Sequence, residues 1–287
     1  MALSPRPDRR TSLPPLDPQR FAPTPARPLR AKARPLARQA DIQPHQHDWA
    51  QLVFSLDGTL RASTLRPDGS GTSYLVPPSQ AVWIPPGRIH TVTAVERVEL
   101  RTLYLATPAS PLGAAAPAER DAWREGRVLA VSPLLRELVQ ALAVLSERSS
   151  LRPGEQAREQ ALALLVRDEL IQARPVPLGL ALPGERRLRR LCEQMLAQPG
   201  RHADLAGWAG EVAASPRTLA RLFREHLGTT FGQWRQQLLL AQALTLAARG
   251  QSMHLIAAEL GYRSPSAFGA MVKRMVGQPP GQFLARA

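Results

Sequence analysis

Ser215-Pro-Arg-Thr-Leu-Ala-Arg-Leu-Phe-Arg-Glu-His-Leu-Gly228 carries its own start, its own stop and two chemically different faces. Ser215 is a good N-cap, Pro216 suits the first helical position, and Gly228 suits a left-handed C-terminal stop. Leu219, Leu222, Phe223 and Leu227 fall on one side, and Arg217, Arg221 and Arg224 on the other. Just upstream, 204–213 predicts a short helix with Leu205, Trp208, Ala209 and Val212 on one face. Two short helices, a tight turn and an arginine face make a helix-turn-helix, whose second helix can enter a major groove. An ordinary solvated amphipathic helix is the competing reading.

Downstream the pattern repeats. A connecting helix over about 231–248 ends at Gly250, and Ser252 caps a helix carrying Ile256, Ala257 and Leu260. Gly261-Tyr262 makes a turn, and Ser264-Pro265 opens a helix with Phe268, Val272 and Val276 buried, ending at Gly277. Two such units on one connecting helix could set two reading helices in successive major grooves, about 34 Å apart. Charge agrees. Residues 184–287 carry a balance of +8 and 41–183 a balance of −1, so the basic excess is segregated by domain. A basic helical block favours a polyanion partner. Arginine-rich codon usage explains Arg over Lys, but not the segregation.

Leu205-Ala-Gly-Trp-Ala209, the 215–225 helix, Gly228-Thr-Thr-Phe231, Ile256-Ala257, Gly261-Tyr262 and Lys273-Arg274 together resemble the AraC-type DNA-binding domain. The resemblance covers residues 185–287 and implies a sequence-specific transcription regulator acting on double-stranded promoter DNA. It places the base-contacting positions on Arg217, Ala220 and Arg221 in the first unit and on Ser266, Ala267 and Ala270 in the second. Arg224, Lys273 and Arg274 join them as DNA-binding candidates. Three small side chains cannot make a bidentate base contact, so the first unit is expected to supply most direct readout and the second to grip phosphate.

Working back toward the N-terminus, 175–184 (Pro-Val-Pro-Leu-Gly-Leu-Ala-Leu-Pro-Gly) reads as a linker. Residues 109–174 hold two Leu-rich helices, over 134–148 and 155–173, which either pack onto the preceding domain or form a homodimer interface. Residues 41–108 read as short strands. Asp57-Gly58 predicts a hairpin between 51–56 and 59–65, Pro67 to Gly71 another turn, and 73–78, 81–84, 88–95 and 98–105 further strands. A small antiparallel barrel or sandwich fits that spacing. Residues 1–40, with nine prolines and a balance of +7, read as a disordered basic tail. The expected fold is α+β: a cupin-like antiparallel β-barrel with following helices, then an all-α domain of two helix-turn-helix units joined by a helix.

The strand domain carries the second signal. His45 and His47, two apart, would share one strand face, with Gln51 in the same parity, and Pro85-Pro-Gly87 precedes His90. This set resembles the cupin metal signature, with Gln51 standing where the family has Glu. It implies a divalent transition metal (Zn, Ni, Fe or Co) on His45, His47 and His90, with Gln51 as ligand or supporting donor. Histidines that hydrogen-bond among strands without metal are the alternative. Trp49 and Trp83 are candidate walls of an effector pocket, or plain core.

Cys192 is the sole cysteine, so no intramolecular disulfide forms, and no run of 18 apolar residues or signal-peptide core is present. A cytoplasmic regulator with no membrane partner is expected, sensing a metal or small-molecule effector and contacting RNA polymerase if it activates. A metal-dependent cupin enzyme of dioxygenase type, with an accessory helical domain, is the other reading. Two helix-turn-helix units, the missing carboxylate at Gln51 and the lack of any nucleophile triad or phosphate loop weigh against it.

Overall fold

The computed structural model describes residues 11–15, 18–78, 80–106, 123–176 and 179–284. Its N-terminal half is two six-stranded sheets. Sheet I contains β1 (Thr11–Leu13), β3 (Ala40–His45), β5 (Leu60–Leu65), β6 (Gly71–Val76), β8 (Ile89–Ala94) and β12 (Gly179–Leu182), in the order β1-β3-β8-β5-β6-β12. Sheet II contains β2 (Leu29–Leu36), β4 (Ala50–Ser55), β7 (Gln80–Ile84), β9 (Val98–Leu105), β10 (Arg127–Ala130) and β11 (Pro175–Val176), in the order β11-β10-β7-β4-β9-β2. Every pairing is antiparallel except β1 with β3.

Between the sheets lie Ile42, Val53, Leu60, Ala62, Val76, Val82, Ile84, Val92 and Leu100. Sheet II is covered on its outer face as well. Helices α2 (Pro133–Ser146) and α3 (Pro153–Gln172) bury Leu135, Leu138, Val139, Leu142, Val166 and Leu170 against Ala50, Leu52, Phe54, Ala81, Trp83 and Leu103. This explains why β4 is buried at all six positions: a strand with both faces covered loses its polar alternation. Of the two readings for these helices, packing onto the sheet is the one observed. Leu134, Val144, Leu164, Leu165 and Ile171 nevertheless remain exposed on them.

Three expectations need correction. The Asp57-Gly58 turn does not close a hairpin. β4 pairs with β7 and β9, whereas β5 pairs with β6 and β8, so this turn carries the chain from one sheet to the other. Gly58 has φ +62°, and a Cβ there would meet Arg97 O at 2.6 Å, so glycine is required by both conformation and space.

The basic tail is not disordered throughout. Residues 1–10 and 16–17 lie outside the described residues, but α1 (Pro18–Phe21) is helical and β2 pairs with β9 over eight residues. Pro35 fits because β2 is the sheet edge, where a missing N–H breaks no ladder. Arg27 anchors the entry to β2. Its Nε donates to both carboxylate oxygens of buried Glu159, at 3.1 and 2.9 Å, and its Nη atoms donate to the carbonyls of Arg148 and Leu145 at 2.9 and 3.0 Å.

Nor is 175–184 a free linker, because it contributes β11 to one sheet and β12 to the other. The strand domain therefore runs from β1 to β12, beyond the expected 41–108, and 107–122 lie outside the described residues.

The helical half follows its caps. After α4 (Arg186–Ala197) come α5 (Leu205–Glu211), α6 (Pro216–Leu227), α7 (Phe231–Ala248), α8 (Met253–Glu259), α9 (Pro265–Val276) and α10 (Pro280–Leu284). Ser215, Thr230, Ser252 and Ser264 each accept a backbone N–H from the first turn that follows. Gly228 and Gly277 take φ of 62° and 72° at the C-caps. The first unit packs around Trp208, Phe223 and Trp234, all nearly fully buried. The second shares one apolar cluster with the sheet interior and carries Phe268, Met271, Val272 and Phe283. Polar ties join the halves: the Trp234 indole donates to Ala181 O at 2.8 Å, Arg189 bonds Gly69 O, and Arg249 pairs with Glu96.

Candidate effector site and nucleic-acid interface

His90 lies on β8 and His45 directly opposite it at the end of β3, a register reached through an irregularity between Ile42 and His45. His47 is not on that strand. It sits in the connection from β3 to β4, so strand parity does not aim it. Two other bonds do: Gly87 N donates to His47 O at 2.8 Å, and the His47 ring meets Gln51, which reaches from β4 of the opposite sheet. Gly87, at φ +71°, is the turn residue that returns the chain toward His90.

The three rings converge between the sheets. Centroids are 4.2 Å apart for His45 and His90, 5.1 Å for His47 and His90, and 6.0 Å for His45 and His47. One nitrogen from each lies within 4.8 Å of the others. Each Nδ1 faces a backbone carbonyl: Gln43 O at 2.8 Å, Trp49 O at 2.7 Å and Arg88 O at 2.8 Å for His45, His47 and His90. A carbonyl can only accept, so each Nδ1 carries the proton and each neutral ring turns an Nε2 lone pair elsewhere. The side chain of Gln51, 3 % exposed, lies 2.8 Å from His47 Nε2 and 2.9 Å from His90 Nε2. The donor set fits a divalent transition metal: three ready imidazoles and one amide, with no carboxylate among them.

The two tryptophans separate. Trp49 stacks on His47, with centroids 4.9 Å apart and planes 2° from parallel, and Tyr104 meets both edge-on. Trp83 does not line the site. It sits opposite Leu52 on the outer face of sheet II, where its indole donates to Trp123 O at 3.0 Å and it packs beneath α2 and α3. Tyr104, on β9, was missed by the sequence because only strand register brings it there. Also missed was a cleft of about 380 Å³ between the outer face of sheet I and α4, bordered by Ser12, Asp41, Ser63, Thr91, Arg189 and Glu193.

On the helical half, Arg217, Arg221 and Arg224 are all exposed on α6, and Ala220 is partly exposed between them. Arg221 is paired within the helix to Glu225. On α9, Ser266, Ala267, Ala270, Lys273 and Arg274 share an exposed surface. Both second helices thus present the candidate residues outward while their apolar faces are buried.

A helix-turn-helix domain family matches residues 208–286, and an AraC-like ligand binding domain family matches 36–166. The HTH-type transcriptional regulator NimR of Escherichia coli is 34 % identical over 242 residues, covering 84 % of this chain and 82 % of that protein. The chain belongs to the AraC family of transcriptional regulators. The arabinose operon regulatory protein of Salmonella typhimurium is 28 % identical over 138 residues, covering 46 % of this chain and 48 % of its own. ToxT of Vibrio cholerae covers 90 % of the chain at 10 % identity with a TM-score of 0.36, a likeness too distant to argue from.

This AraC-type protein is therefore a DNA-binding transcription regulator with a ligand-binding domain, and its matched relatives are transcriptional regulators. Among the described residues no helix is long and apolar enough to cross a membrane.

The ligand-binding domain of this AraC-type chain should be acid-sensitive when metal-free. Burial pushes the His90 pKa from 6.5 down to about 3, helped by His45 and His47 and opposed by the Arg88 carbonyl. Burial also lowers His45. A folded-state pKa below the unfolded one means that the unfolded chain takes the proton first. Stability is then whole above about pH 6.5 and falls as pH drops toward 3. Between pH 8 and 5, His90 alone should remove about 2 kcal/mol from the chelator-treated protein. Urea midpoints read it, and His90→Gln should flatten the dependence.

Proposed function

We propose that the histidine cluster is the sensing site of this regulator: a divalent transition metal, alone or holding a small organic effector, occupies it and alters promoter binding. The observation that carries the reading is the convergence of three imidazoles whose Nδ1 protons are already committed to backbone carbonyls. Second-sphere bonds of this kind fix tautomer and aim in metal sites. His45, His47 and His90 would hold the metal. Bound Zn, Ni, Fe or Co would supply a Lewis-acidic anchor with open positions. Trp49, stacked on His47, would border an organic ligand there. Titration of chelator-treated full-length protein with Co(II), followed by absorbance and elemental analysis, tests this. One equivalent bound per chain supports it, and substoichiometric uptake in every titration removes it.

In the same reading, Arg217, Ala220 and Arg221 face bases, and Arg224, Lys273 and Arg274 face phosphates. Ser266, Ala267 and Ala270 give the second unit a smooth surface with little hydrogen-bonding readout. Arg221→Ala should cost roughly 1–3 kcal/mol and relax preference at one base pair, whereas Ala270→Ser should change little. Competition with operator variants distinguishes the cases: equal weakening on all sequences would make Arg221 a phosphate contact. The Arg221–Glu225 pair holds the guanidinium on the helix surface until DNA competes for it. The exposed Leu134, Val144, Leu164, Leu165 and Ile171 support a homodimer through α2 and α3. A cytoplasmic location fits the chain, as does contact with RNA polymerase if it activates.

A further inference from the structure

The Gln51 side chain reaches from sheet II to the histidines of sheet I and its adjoining loop, and its position fixes its chemistry. The amide atom placed there, Oε1, lies 2.8 Å from His47 Nε2 and 2.9 Å from His90 Nε2. Both rings spend their single neutral-state proton on Nδ1, facing Trp49 O and Arg88 O. Both Nε2 atoms are therefore acceptors, and an amide oxygen between two acceptors would meet lone pairs on both sides. The alternative is an imidazolium at each ring. That would set two positive charges 5.1 Å apart, at residues 8 % and 0 % exposed, and no carboxylate is among the groups acting on His90. The amide orientation with nitrogen toward the rings resolves the conflict, since oxygen and nitrogen of a glutamine amide exchange by a simple flip.

We infer that in the metal-free protein the Gln51 side-chain amide takes the place of the metal, its two N–H groups clamping His47 and His90 across the two sheets. This rests on the reading of the histidine cluster as a metal site. The two N–H bonds of one amide diverge by about 120°, and acceptors at hydrogen-bond distance from both are spread to nearly 5 Å. One nitrogen from each of the three rings lies within 4.8 Å of the others, which leaves room for that spread. Ligands at about 2.1 Å from a tetrahedral metal are closer, roughly 3.4 Å apart. A clamp at that ideal angle is therefore wider than the liganded arrangement. Metal enters only by breaking two buried hydrogen bonds and drawing His47 and His90 together, while Gln51 leaves.

The consequence is functional. A resident competitor lowers metal affinity without touching a ligand, which suits a site that loads and empties rather than one that holds a permanent cofactor. It also couples loading to the two sheets, because the clamp joins β4 to β8.

The test uses full-length protein with 15N-labelled histidine, chelator-treated, at pH 7.5. Long-range proton–nitrogen spectra should show His47 and His90 as Nδ1–H tautomers, with both Nε2 resonances displaced in Gln51→Leu. A protonated Nε2 on either ring in the wild type would overturn the clamp, and that measurement stands even if Gln51→Leu fails to fold. Co(II) competition should find Gln51→Leu binding about tenfold tighter than wild type, the worth of roughly one to two buried hydrogen bonds. Unchanged or weaker binding would make Gln51 a ligand rather than a competitor, and would overturn the inference while leaving the metal site standing. If the wild type takes up no Co(II) yet shows both Nδ1–H tautomers, the metal reading falls and the clamp remains.

Discussion

Raising monovalent salt from 50 to 200 mM is expected to weaken promoter binding by the full-length chain a thousandfold or more, up to about a hundred-thousandfold. Each phosphate neutralised by Arg or Lys releases condensed counterions, and about six to ten such contacts give that range. The supply of cations is adequate: apart from the base-facing Arg217 and Arg221, residues Arg186, Arg187, Arg190, Arg224, Arg263, Lys273 and Arg274 are all exposed, within a domain whose net balance is +8. The log–log slope should lie near −5 to −9, measured by fluorescence anisotropy on the regulator's own promoter. Exchanging Lys273 and Arg274 together for Ala should make it shallower by about two. A wild-type slope no steeper than about −2 would mean that one unit, not two, grips the duplex.

The second large effect is at the histidines. His47→Ala should abolish stoichiometric metal binding, because two imidazoles leave the metal short of protein ligands. It should also free Gln51 and strip Trp49 of its stacking partner, so near-ultraviolet dichroism checks that the fold persists. Gln51→Glu should act in the opposite sense and tighten binding. A carboxylate adds negative charge for the metal, and it cannot donate to the two imidazoles that compete for it in the metal-free state. Isothermal titration with Zn(II) reads both. Weaker binding in Gln51→Glu would show that the cavity does not tolerate charge at position 51.

The helical half was legible in the sequence nearly to the residue, and the reason is physical. Its boundaries are written by caps: Ser215-Pro216 and Gly228, Ser252, Ser264-Pro265 and Gly277 each satisfy or terminate a helix end by local chemistry. Sheet partnership is not local. Asp57-Gly58 has the composition of a hairpin turn, but the partners of β4 and β5 were chosen by the burial of their faces against distant strands. β2 was hidden because an edge strand alternating Arg30, Lys32 and Arg34 with Ala31 and Ala33 carries little apolar signal. Its hydrogen bonds go to β9, about seventy positions away. At the candidate site, spacing found His45, His47 and His90, though for His47 the turn at Gly87 does the aiming rather than strand parity. For Trp83 the core alternative holds rather than the pocket wall, because proximity in sequence to Pro85–His90 says nothing about which face of the sheet it occupies. Tyr104 and the two-sided contact of Gln51 needed the register of both sheets.

Promoter affinity of the full-length protein with and without one equivalent of Co(II), in wild type and in His90→Ala, tests most directly whether the histidine site governs the DNA-binding half. At fixed pH 7.5 and 100 mM salt, a metal-dependent shift of at least about fivefold is expected in the wild type, the lower bound of ordinary allosteric coupling, and none in His90→Ala. Identical wild-type affinities in the two conditions, with Co(II) demonstrably bound, would contradict it.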